Sequence, residues 1–197
     1  MPRVIAGSAK GRPLAVPARG ARPTTDQARE AAFSVIAGWA GTAADASNAL
    51  VGRAFLDLYA GSGAVALEAA SRGAEPAWAI ESDKAATAVI KKNIAATGLR
   101  VEALTRTAEA FAARPAPAPF DVVWADPPYE VPAESVDAVL ASLATNGWLA
   151  AECLIVVERA KRSRPPVWPD GVEPLAEKVY GDTALHFASR RAKGGAA

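Results

Sequence analysis

Apolar and polar positions alternate regularly through the larger, C-terminal part of the chain. From Arg53 onward, short apolar runs of strand length are separated by segments with the spacing of amphipathic helices. Strands that alternate with helices pair in parallel, so the pattern predicts an α/β fold with a mostly parallel, doubly wound sheet. The predicted strands cover residues 54–59, 77–80, 101–105, 121–125 and 154–157, the predicted helices cover 64–72, 84–97 and 135–144, and a closing β pair is expected at 178–181 and 185–188.

The N-terminal part has a different pattern. Two β-like runs, residues 3–7 and 12–16, flank a polar, glycine-containing turn and predict a small basic β-hairpin. Thr24, followed three residues later by Gln27, matches a capping box and predicts a helix that ends near Trp39. Small and polar residues follow, as in a linker. We therefore expect a basic hairpin extension at residues 1–22, an α/β domain at residues 23–189 and a flexible tail at residues 190–197.

Charge is distributed unevenly along the 197 residues, although the net charge is only +1. Residues 23–158 carry 9 basic and 17 acidic side chains, whereas residues 159–197 carry 8 basic and 4 acidic ones. Basic ends around an acidic middle are typical of a protein that docks an anionic partner at its termini, and a solvated terminal arm is the alternative. Residues 1–22 contain five basic side chains and no acidic one: Arg3, Lys10, Arg12, Arg19 and Arg22.

The composition excludes several classes of protein. With Cys153 as the only cysteine, an intramolecular disulfide and a cysteine cluster for zinc are excluded. The only histidine, His186, argues against a His-based metal site and a Ser–His triad, and we expect no metal. The hydrophobic fraction of 51% is sufficient for a packed core. No apolar run approaches the roughly 20 residues of a membrane span, and Met1-Pro2-Arg3-Val4 does not resemble a signal peptide. We therefore expect a soluble, cytoplasmic protein.

A glycine-containing turn, Asp57-Leu58-Tyr59-Ala60-Gly61-Ser62-Gly63, joins the first predicted strand to a helix. Glycines there let the backbone approach a ligand at the carboxyl end of a strand, and Glu81 ends the next strand, where a carboxylate can bind both hydroxyls of a ribose. These features indicate a nucleoside-containing cofactor. Residues 61–66 also fit the G-x-G-x-x-A dinucleotide fingerprint, and a purely structural turn is a third interpretation. Asp57 favours a cofactor with a cationic amino group over a pyrophosphate.

The sequence Asp126-Pro127-Pro128-Tyr129 follows the fourth predicted strand and is the more specific motif. The exocyclic amine of a nucleic-acid base is a poor nucleophile because its lone pair is delocalised into the ring. The Asp126 carboxylate and the Pro127 carbonyl offer two acceptors for its N–H groups, and the prolines fix the backbone between them. Tyr129 offers a ring for base stacking. An ordinary proline turn is the alternative, but its place beside the glycine loop favours methyl transfer to a base amine.

The chain resembles the bacterial small-subunit (16S) ribosomal RNA guanine-N2 methyltransferase family over nearly its whole length. The two motifs above occur in many amino-methyltransferases, and the Arg-Pro-Thr-Thr-Asp stretch at residues 22–26 makes the resemblance narrower. It implies a class I methyltransferase fold with helices on both faces of the sheet, S-adenosylmethionine as cofactor, and a guanine in an assembled or assembling small ribosomal subunit as substrate. The other residues that carry the resemblance are residues 3–7, 10–12, Arg29, Glu30 and Phe33.

The resemblance also implies roles for individual residues. The catalytic positions are Asp126, Pro127, Pro128 and Tyr129. The cofactor-binding positions are Asp57, Tyr59, Gly61, Gly63, Glu81, Ser82, Thr107, Ala108 and Asp126. The RNA-binding candidates are Arg3, Lys10, Arg12, Arg19 and Arg22, with a second basic group at Arg159, Lys161, Arg162 and Arg164. Thr24, Asp26 and Arg29 are expected either to line the cofactor or base pocket or to cap a helix.

Three rival functions remain at this point. A DNA adenine or cytosine amino-methyltransferase uses the same pocket chemistry but normally carries a sizeable target-recognition segment, for which the linkers leave little room. A nucleotide-dependent oxidoreductase would fit the glycine loop but not the absence of an obvious acid–base set. An RNA-binding module without activity is disfavoured by the intact Asp126–Tyr129 motif.

Overall fold

A computed structural model describes residues 2–18 and 25–190. Its helices are α1 (Asp26–Trp39), α2 (Ala64–Ser71), α3 (Lys84–Thr97), α4 (Ala108–Ala112) and α5 (Ala133–Thr145). Its strands are β1 (Phe55–Leu58), β2 (Ala77–Glu81), β3 (Glu102–Thr105), β4 (Phe120–Ala125), β5 (Leu149–Ala160), β6 (Val172–Tyr180) and β7 (Thr183–Arg190). The alternation predicted from the sequence is thus confirmed, and α4 is an additional short helix.

The strands form one mixed sheet in the order β3-β2-β1-β4-β5-β7-β6. The first five strands in this order pair in parallel, and β7 pairs antiparallel with both β5 and β6. The predicted closing β pair is therefore present, although each of its strands is longer than expected. The carboxyl ends of the parallel strands meet at one edge of the sheet, where ligands bind in open α/β folds.

Helices cover both faces of the sheet. On one face, α4 and α5 pack on apolar side chains that include Leu56, Val123 and Ile155. On the other face, α1 and α2 pack on side chains that include Trp124 and Val156. Successive residues of a strand point to opposite faces, so the buried strands are largely apolar on both sides, as the continuous apolar runs in the sequence require.

Helix α1 begins one residue later than the capping-box pattern predicts. The cap is Thr25, whose hydroxyl accepts a hydrogen bond from the Ala28 backbone N–H at 3.2 Å, whereas Thr24 lies outside the described residues. The end at Trp39 is as predicted. Helix α3 covers the predicted range 84–97: Asp83 caps it by accepting from the Ala85 N–H at 2.7 Å, and Gly98 ends it in a left-handed conformation.

The predicted N-terminal β-hairpin is wrong in its strands. Residues 2–18 turn back on themselves with a single isolated bridge, Arg3 to Pro13. A continuous ladder does not form because backbone N–H groups of this segment bond to α2 instead. Ile5 and Ala6 donate to the Glu68 carboxylate at 2.7 and 3.0 Å, and Ser8 donates to the Ser71 carbonyl at 2.8 Å.

The segment of residues 2–18 packs on the α/β domain through apolar and polar contacts. Val4 and Leu14 are buried against α2. Asn93 of α3 bonds to the segment twice: its side-chain oxygen accepts from the Ala15 N–H at 2.8 Å and its side-chain nitrogen donates to the Ala15 carbonyl at 2.9 Å. The same nitrogen donates to the Ser62 carbonyl at 2.9 Å, which ties the segment to the glycine turn.

Candidate functional site

The turn between β1 and α2 is shaped by glycines at positions that other residues adopt with difficulty. Gly61 and Gly63 have φ angles of 54° and 75°. A Cβ atom at Gly63 would lie 2.9 Å from the Ile90 Cγ2, so a larger residue would push α3 away. Tyr59 also has a positive φ angle, 60°, which is unusual for an aromatic residue and marks local strain at the start of the turn.

The Glu81 carboxylate organises this turn from the end of the neighbouring strand. One of its oxygens accepts from the Gly61 N–H at 2.8 Å and the other accepts from the Asp83 N–H at 2.8 Å. Glu81 pairs along the sheet with Thr105, so β1, β2 and β3 end close together here. The predicted carboxylate therefore lies beside the predicted glycine loop and faces the same cavity.

Asp57 lies beneath the turn and is almost fully buried. Its carboxylate accepts from the Ala66 N–H of α2 at 3.0 Å. Burial raises the pKa of Asp57 from 3.8 to about 8; the Ala66 hydrogen bond opposes this, and repulsion by Glu81 adds to it. A cation placed beside Asp57 would favour the ionised carboxylate.

The second motif lies at the carboxyl end of β4, across the cavity from the glycine turn. The Asp126 N–H donates to the Leu58 carbonyl at 3.4 Å, and the Val131 N–H closes a turn onto the Pro128 carbonyl at 3.0 Å. Pro127 is buried, whereas the Tyr129 ring is 57% exposed at the mouth. The backbone is thus fixed on both sides of the Asp126–Tyr129 motif, with an accessible ring at its end.

Both motifs line one cavity of about 380 Å³ at the carboxyl edge of the parallel strands. It brings together predicted site residues from β1, β2 and β4, namely Asp57, Tyr59, Gly61, Glu81, Ser82, Asp126, Pro127, Pro128 and Tyr129. Gly63, Thr107 and Ala108 are not in its lining. The Thr107 hydroxyl instead caps α4 by accepting from the Ala110 N–H at 3.2 Å. The backbone N–H of the preceding residue, Arg106, donates to the Glu81 carbonyl.

Arg29 enters the cavity from α1 and is 1% exposed. Its Nη2 donates to the Arg3 carbonyl at 2.5 Å and to the Asp26 carboxylate at 2.9 Å. Its Nε and Nη1 are buried and have no acceptor among the described residues. Buried donors without an acceptor are costly, so this guanidinium is suited to bind an acceptor group of a ligand in the cavity. The sequence left open whether Arg29 lines a pocket or caps a helix; the structure places it in the pocket.

Several further lining residues were missed from the sequence, among them Pro17, Trp124 and Glu158. Pro17 gave no signal, because its proximity depends on the packing of the N-terminal segment. Trp124 gave no signal of its own, because it packs in the core while also lining the cavity. Glu158 could have been found from the sequence, because it is a carboxylate that directly follows the apolar run 154–157, just as Glu81 follows the run 77–80.

The basic candidates are divided between two surfaces. Arg3, Lys10 and Arg12 are exposed along the N-terminal segment, whereas Arg19 and Arg22 lie outside the described residues. Lys161 and Arg162 line a second cavity of about 500 Å³ that also contacts Tyr129. Arg164 is instead paired with Glu134 and Asp137, and Arg159 donates to the Val131 carbonyl at 3.1 Å. The expected second basic group is therefore reduced to Lys161 and Arg162 at the mouth.

Residues 2–18 and 25–190 contain no group of three or more His, Cys, Asp or Glu side chains able to hold a metal ion. No helix among them is both long enough and apolar enough to span a membrane. Cys153 and His186 are buried in the sheet, consistent with structural roles.

This chain is similar to known proteins over nearly its whole length. The family described as conserved hypothetical protein 95 matches residues 2–189. Ribosomal RNA small subunit methyltransferase D of Escherichia coli (strain K12) is 37% identical over 196 residues, which cover 98% of this chain and 91% of that protein. The relative of the same name from Haemophilus influenzae is 33% identical over 91% of this chain and 89% of its own length.

A solved structure of the Escherichia coli protein yhhF matches with a TM-score of 0.82 and 35% identity, over 97% of this chain and 98% of that chain. The described sheet order and helices on both faces are those of a class I methyltransferase, as the sequence predicted.

Proposed function

This chain belongs to the conserved hypothetical protein 95 family, and from that premise we propose that it methylates the exocyclic N2 amine of a guanine in small-subunit (16S) ribosomal RNA, with S-adenosylmethionine as the methyl donor. The names of the two relatives support ribosomal RNA as the substrate. The observation that carries the proposal is the single cavity in which the Asp126–Tyr129 motif faces the glycine turn and Glu81.

The residues present fit this cofactor at three chemical groups. The Glu81 carboxylate can accept from the ribose hydroxyls while it holds the Gly61 turn. Asp57, whose buried carboxyl is ionised more readily beside a cation, suits the ammonium of the methionine moiety. The buried Nε and Nη1 of Arg29 suit its carboxylate, which supplies the acceptor that the described residues do not. Thr107 and Ala108 remain predicted contacts for the adenine ring.

The chain's own residues then position and activate the base. The Tyr129 ring stacks on a guanine that is flipped out or unpaired, and Asp126 with the Pro127 carbonyl accepts from its two N2–H groups. Holding the amine in line with the donor supplies most of the rate enhancement, because no strong base is needed. When bound, S-adenosylmethionine supplies a methyl group on a sulfonium. Asp126 or water would take the proton that N2 loses when it gains the methyl group from the sulfonium, which would leave as a neutral thioether.

We place the RNA on the side of the cavity mouth where basic side chains are exposed. Lys161 and Arg162 flank the cavity that adjoins Tyr129 and suit the phosphates on either side of a flipped nucleotide. Arg3, Lys10 and Arg12 extend this surface along the N-terminal segment, and Arg19 and Arg22 stay candidates by sequence. The small ribosomal subunit, assembled or assembling, is the proposed partner.

The test is methylation in vitro of 16S ribosomal RNA, free and in small subunits, from a strain that lacks the enzyme. We expect N2-methylguanosine by mass spectrometry of the digested RNA. Asp126→Ala should lower turnover by about 10²–10⁴-fold, the usual size of a lost acid–base or polarising group, while cofactor affinity stays close to that of the unmodified chain. Transfer to an adenine or cytosine amine, or to DNA alone, would refute the proposed substrate. Full turnover by Asp126→Ala would refute the amine-activation step.

A further inference from the structure

Trp124 of β4 lies beside Asp57 of β1 on the α1 face of the sheet. The parallel register pairs these two residues directly, and in-register residues of neighbouring strands point to the same face. The Trp124 ring packs in the cluster that contains Phe33 and Ile36 of α1. Trp124 and Asp57 both line the cavity. The indole is therefore the neighbour of the carboxyl group that we propose binds the ammonium of the methionine moiety.

The indole nitrogen of Trp124 is a buried donor without an acceptor. The side chain is fully buried, and its Nε1 has no hydrogen-bond partner among the described residues. An indole N–H can only donate, and a buried one usually has an acceptor because leaving it unpaired costs free energy. Trp148 has the usual arrangement, since its Nε1 donates to the Arg114 carbonyl at 2.8 Å. Trp124 is thus suited to bind an acceptor group of a ligand in the cavity.

Arg29 brings two further donor nitrogens to the same wall of the cavity. It lies one helical turn before Phe33 on α1, on the side of the helix that packs against the face carrying Trp124. Its Nε and Nη1 are buried without an acceptor among the described residues, and Arg29 also lines the cavity. The wall therefore combines three buried donor nitrogens with the carboxyl group of Asp57.

An α-amino acid group has the complementary pattern of charges and hydrogen-bonding atoms. Its ammonium donates and its carboxylate accepts, and both are attached to the same carbon atom. A site for such a group needs an acceptor and a cluster of donors side by side. With the ammonium at Asp57, the carboxylate is directed to the donors of Arg29 and Trp124.

We propose that the Trp124 Nε1 donates a hydrogen bond to the carboxylate of the methionine moiety, beside Arg29, and thereby selects a cofactor with an intact amino-acid group. This inference rests on the cofactor of the proposed function and adds a specificity-determining residue to its site. A ligand without the carboxylate would leave the indole and guanidinium donors unpaired. Sites that hydrogen-bond a group of the ligand strongly reject analogues that lack it.

The test uses two ligands that differ only in this carboxylate. S-adenosylhomocysteine carries it, whereas decarboxylated S-adenosylhomocysteine keeps the ammonium and lacks it. Isothermal titration calorimetry measures both affinities for the full chain. Trp124→Phe keeps an aromatic ring and removes the N–H, so we expect the affinity for S-adenosylhomocysteine to fall by about tenfold or more, as for a lost hydrogen bond to a charged group. The affinity for the decarboxylated ligand should stay close to that of the unmodified chain. Trp148→Phe, whose indole is bonded within the protein, is the control and should change neither affinity.

Two results would overturn the role of Trp124 even if N2-methylguanosine is formed in ribosomal RNA. An equal loss for both ligands in Trp124→Phe would mean that the indole shapes the cavity without binding the carboxylate. No loss for either ligand, or the same selective loss in Trp148→Phe, would mean that the Trp124 N–H does not select the cofactor.

Should Trp124→Phe fail to fold, the NMR signal of the Trp124 indole N–H in the unmodified chain decides. We expect this proton to move downfield with S-adenosylhomocysteine, as a newly hydrogen-bonded proton does, and to move less with the decarboxylated ligand. Equal shifts, or no shift with either ligand, would overturn the inference. If the unmodified chain bound no S-adenosylhomocysteine, the proposed cofactor would fall together with it. Absence of N2-methylguanosine despite normal cofactor binding would instead remove the proposed substrate alone.

Discussion

The Glu81 carboxylate accepts a hydrogen bond from the Gly61 backbone N–H at 2.8 Å, across 20 residues of sequence. This bond joins the end of β2 to the turn after β1 and fixes the turn in the shape that the positive φ angle of Gly61 allows. A residue proposed to bind the ribose therefore also shapes the loop beneath the methionine moiety.

Glu81→Ala should weaken the binding of S-adenosylmethionine by about tenfold to a hundredfold, because hydrogen bonds to a charged acceptor are lost. Glu81→Gln, which keeps one acceptor oxygen, should lose less. Isothermal titration calorimetry measures both. Glu102→Ala, an exposed carboxylate on the adjacent strand β3, is the control and should bind normally. Equal affinities for Glu81→Ala and Glu102→Ala would contradict the ribose contact.

Asp57 should make the cofactor-free protein less stable as the pH rises. Because its folded-state pKa is raised from 3.8 to about 8, the folded chain keeps a proton that the unfolded chain releases. The stabilisation is complete below about pH 4 and is lost as the pH rises to about 8. Urea unfolding at about pH 5 and about pH 8 should show this decline in the free energy of unfolding.

Asp57→Asn, which does not titrate, should decline less over the same range, and Asp170→Asn, at an exposed site, should follow the unmodified chain. Burial lowers the pKa of His186, which acts in the opposite direction in all three proteins and cancels in the comparison. If the free energy of unfolding declined equally with pH in Asp57→Asn and in the unmodified chain, the raised pKa of Asp57 would not contribute to the pH dependence of stability.

Glu68 should be a stability determinant outside the cavity. It is fully buried, pairs with Arg72 at 2.8 Å and accepts from the Ile5 and Ala6 N–H groups. Glu68→Ala should lower the free energy of unfolding by about 3–5 kcal/mol, because the buried Arg72 loses its partner. Glu75→Ala, from the exposed pair with Arg100, should change it little. Equal chemical-denaturation midpoints for the two variants would refute this.

The basic N-terminal side chains should contribute to RNA binding through phosphates. Replacing Arg3, Lys10 and Arg12 together by Ala should reduce the slope of log affinity against log salt by about 2, at about 0.7 per contact with single strands. Replacing three exposed lysines of α3, Lys84, Lys91 and Lys92, is the control for net charge. Filter binding against salt gives both slopes, and cofactor affinity monitors folding. An equal slope of log affinity against log salt for the N-terminal variant and the unmodified chain would mean that these basic side chains are solvated rather than bound to phosphates.

Most of the parallel sheet and both motifs were predictable because they depend on local patterns. An apolar run such as 121–125 predicts a buried strand, and the ligands of an open α/β sheet bind at the carboxyl ends of such strands. The loop with Gly61 and the motif at Asp126 were therefore found from sequence, and the structure places both in one cavity.

What the sequence did not predict depends on contacts between distant residues. The residues at 3–7 and 12–16 have a strand-like pattern, but Glu68 and Ser71 take backbone N–H groups that a hairpin would have paired. Asp126 and Glu158 line the same cavity because β4 and β5 are neighbours in the sheet, and the apolar runs do not fix which strands are neighbours. The burial of Arg29 depends on how α1 meets the sheet.

The attachment of residues 2–18 also sets an order of events during synthesis. This segment is translated well before its partners, since Ile5 bonds to Glu68, 63 residues later, and Ala15 bonds to Asn93, 78 residues later. Val4 and Leu14 consequently stay exposed to solvent, and to chaperones, until α3 has been translated. Closing so long a loop is entropically slow, so docking of the N-terminal segment is expected to be a late step in the maturation of the nascent chain.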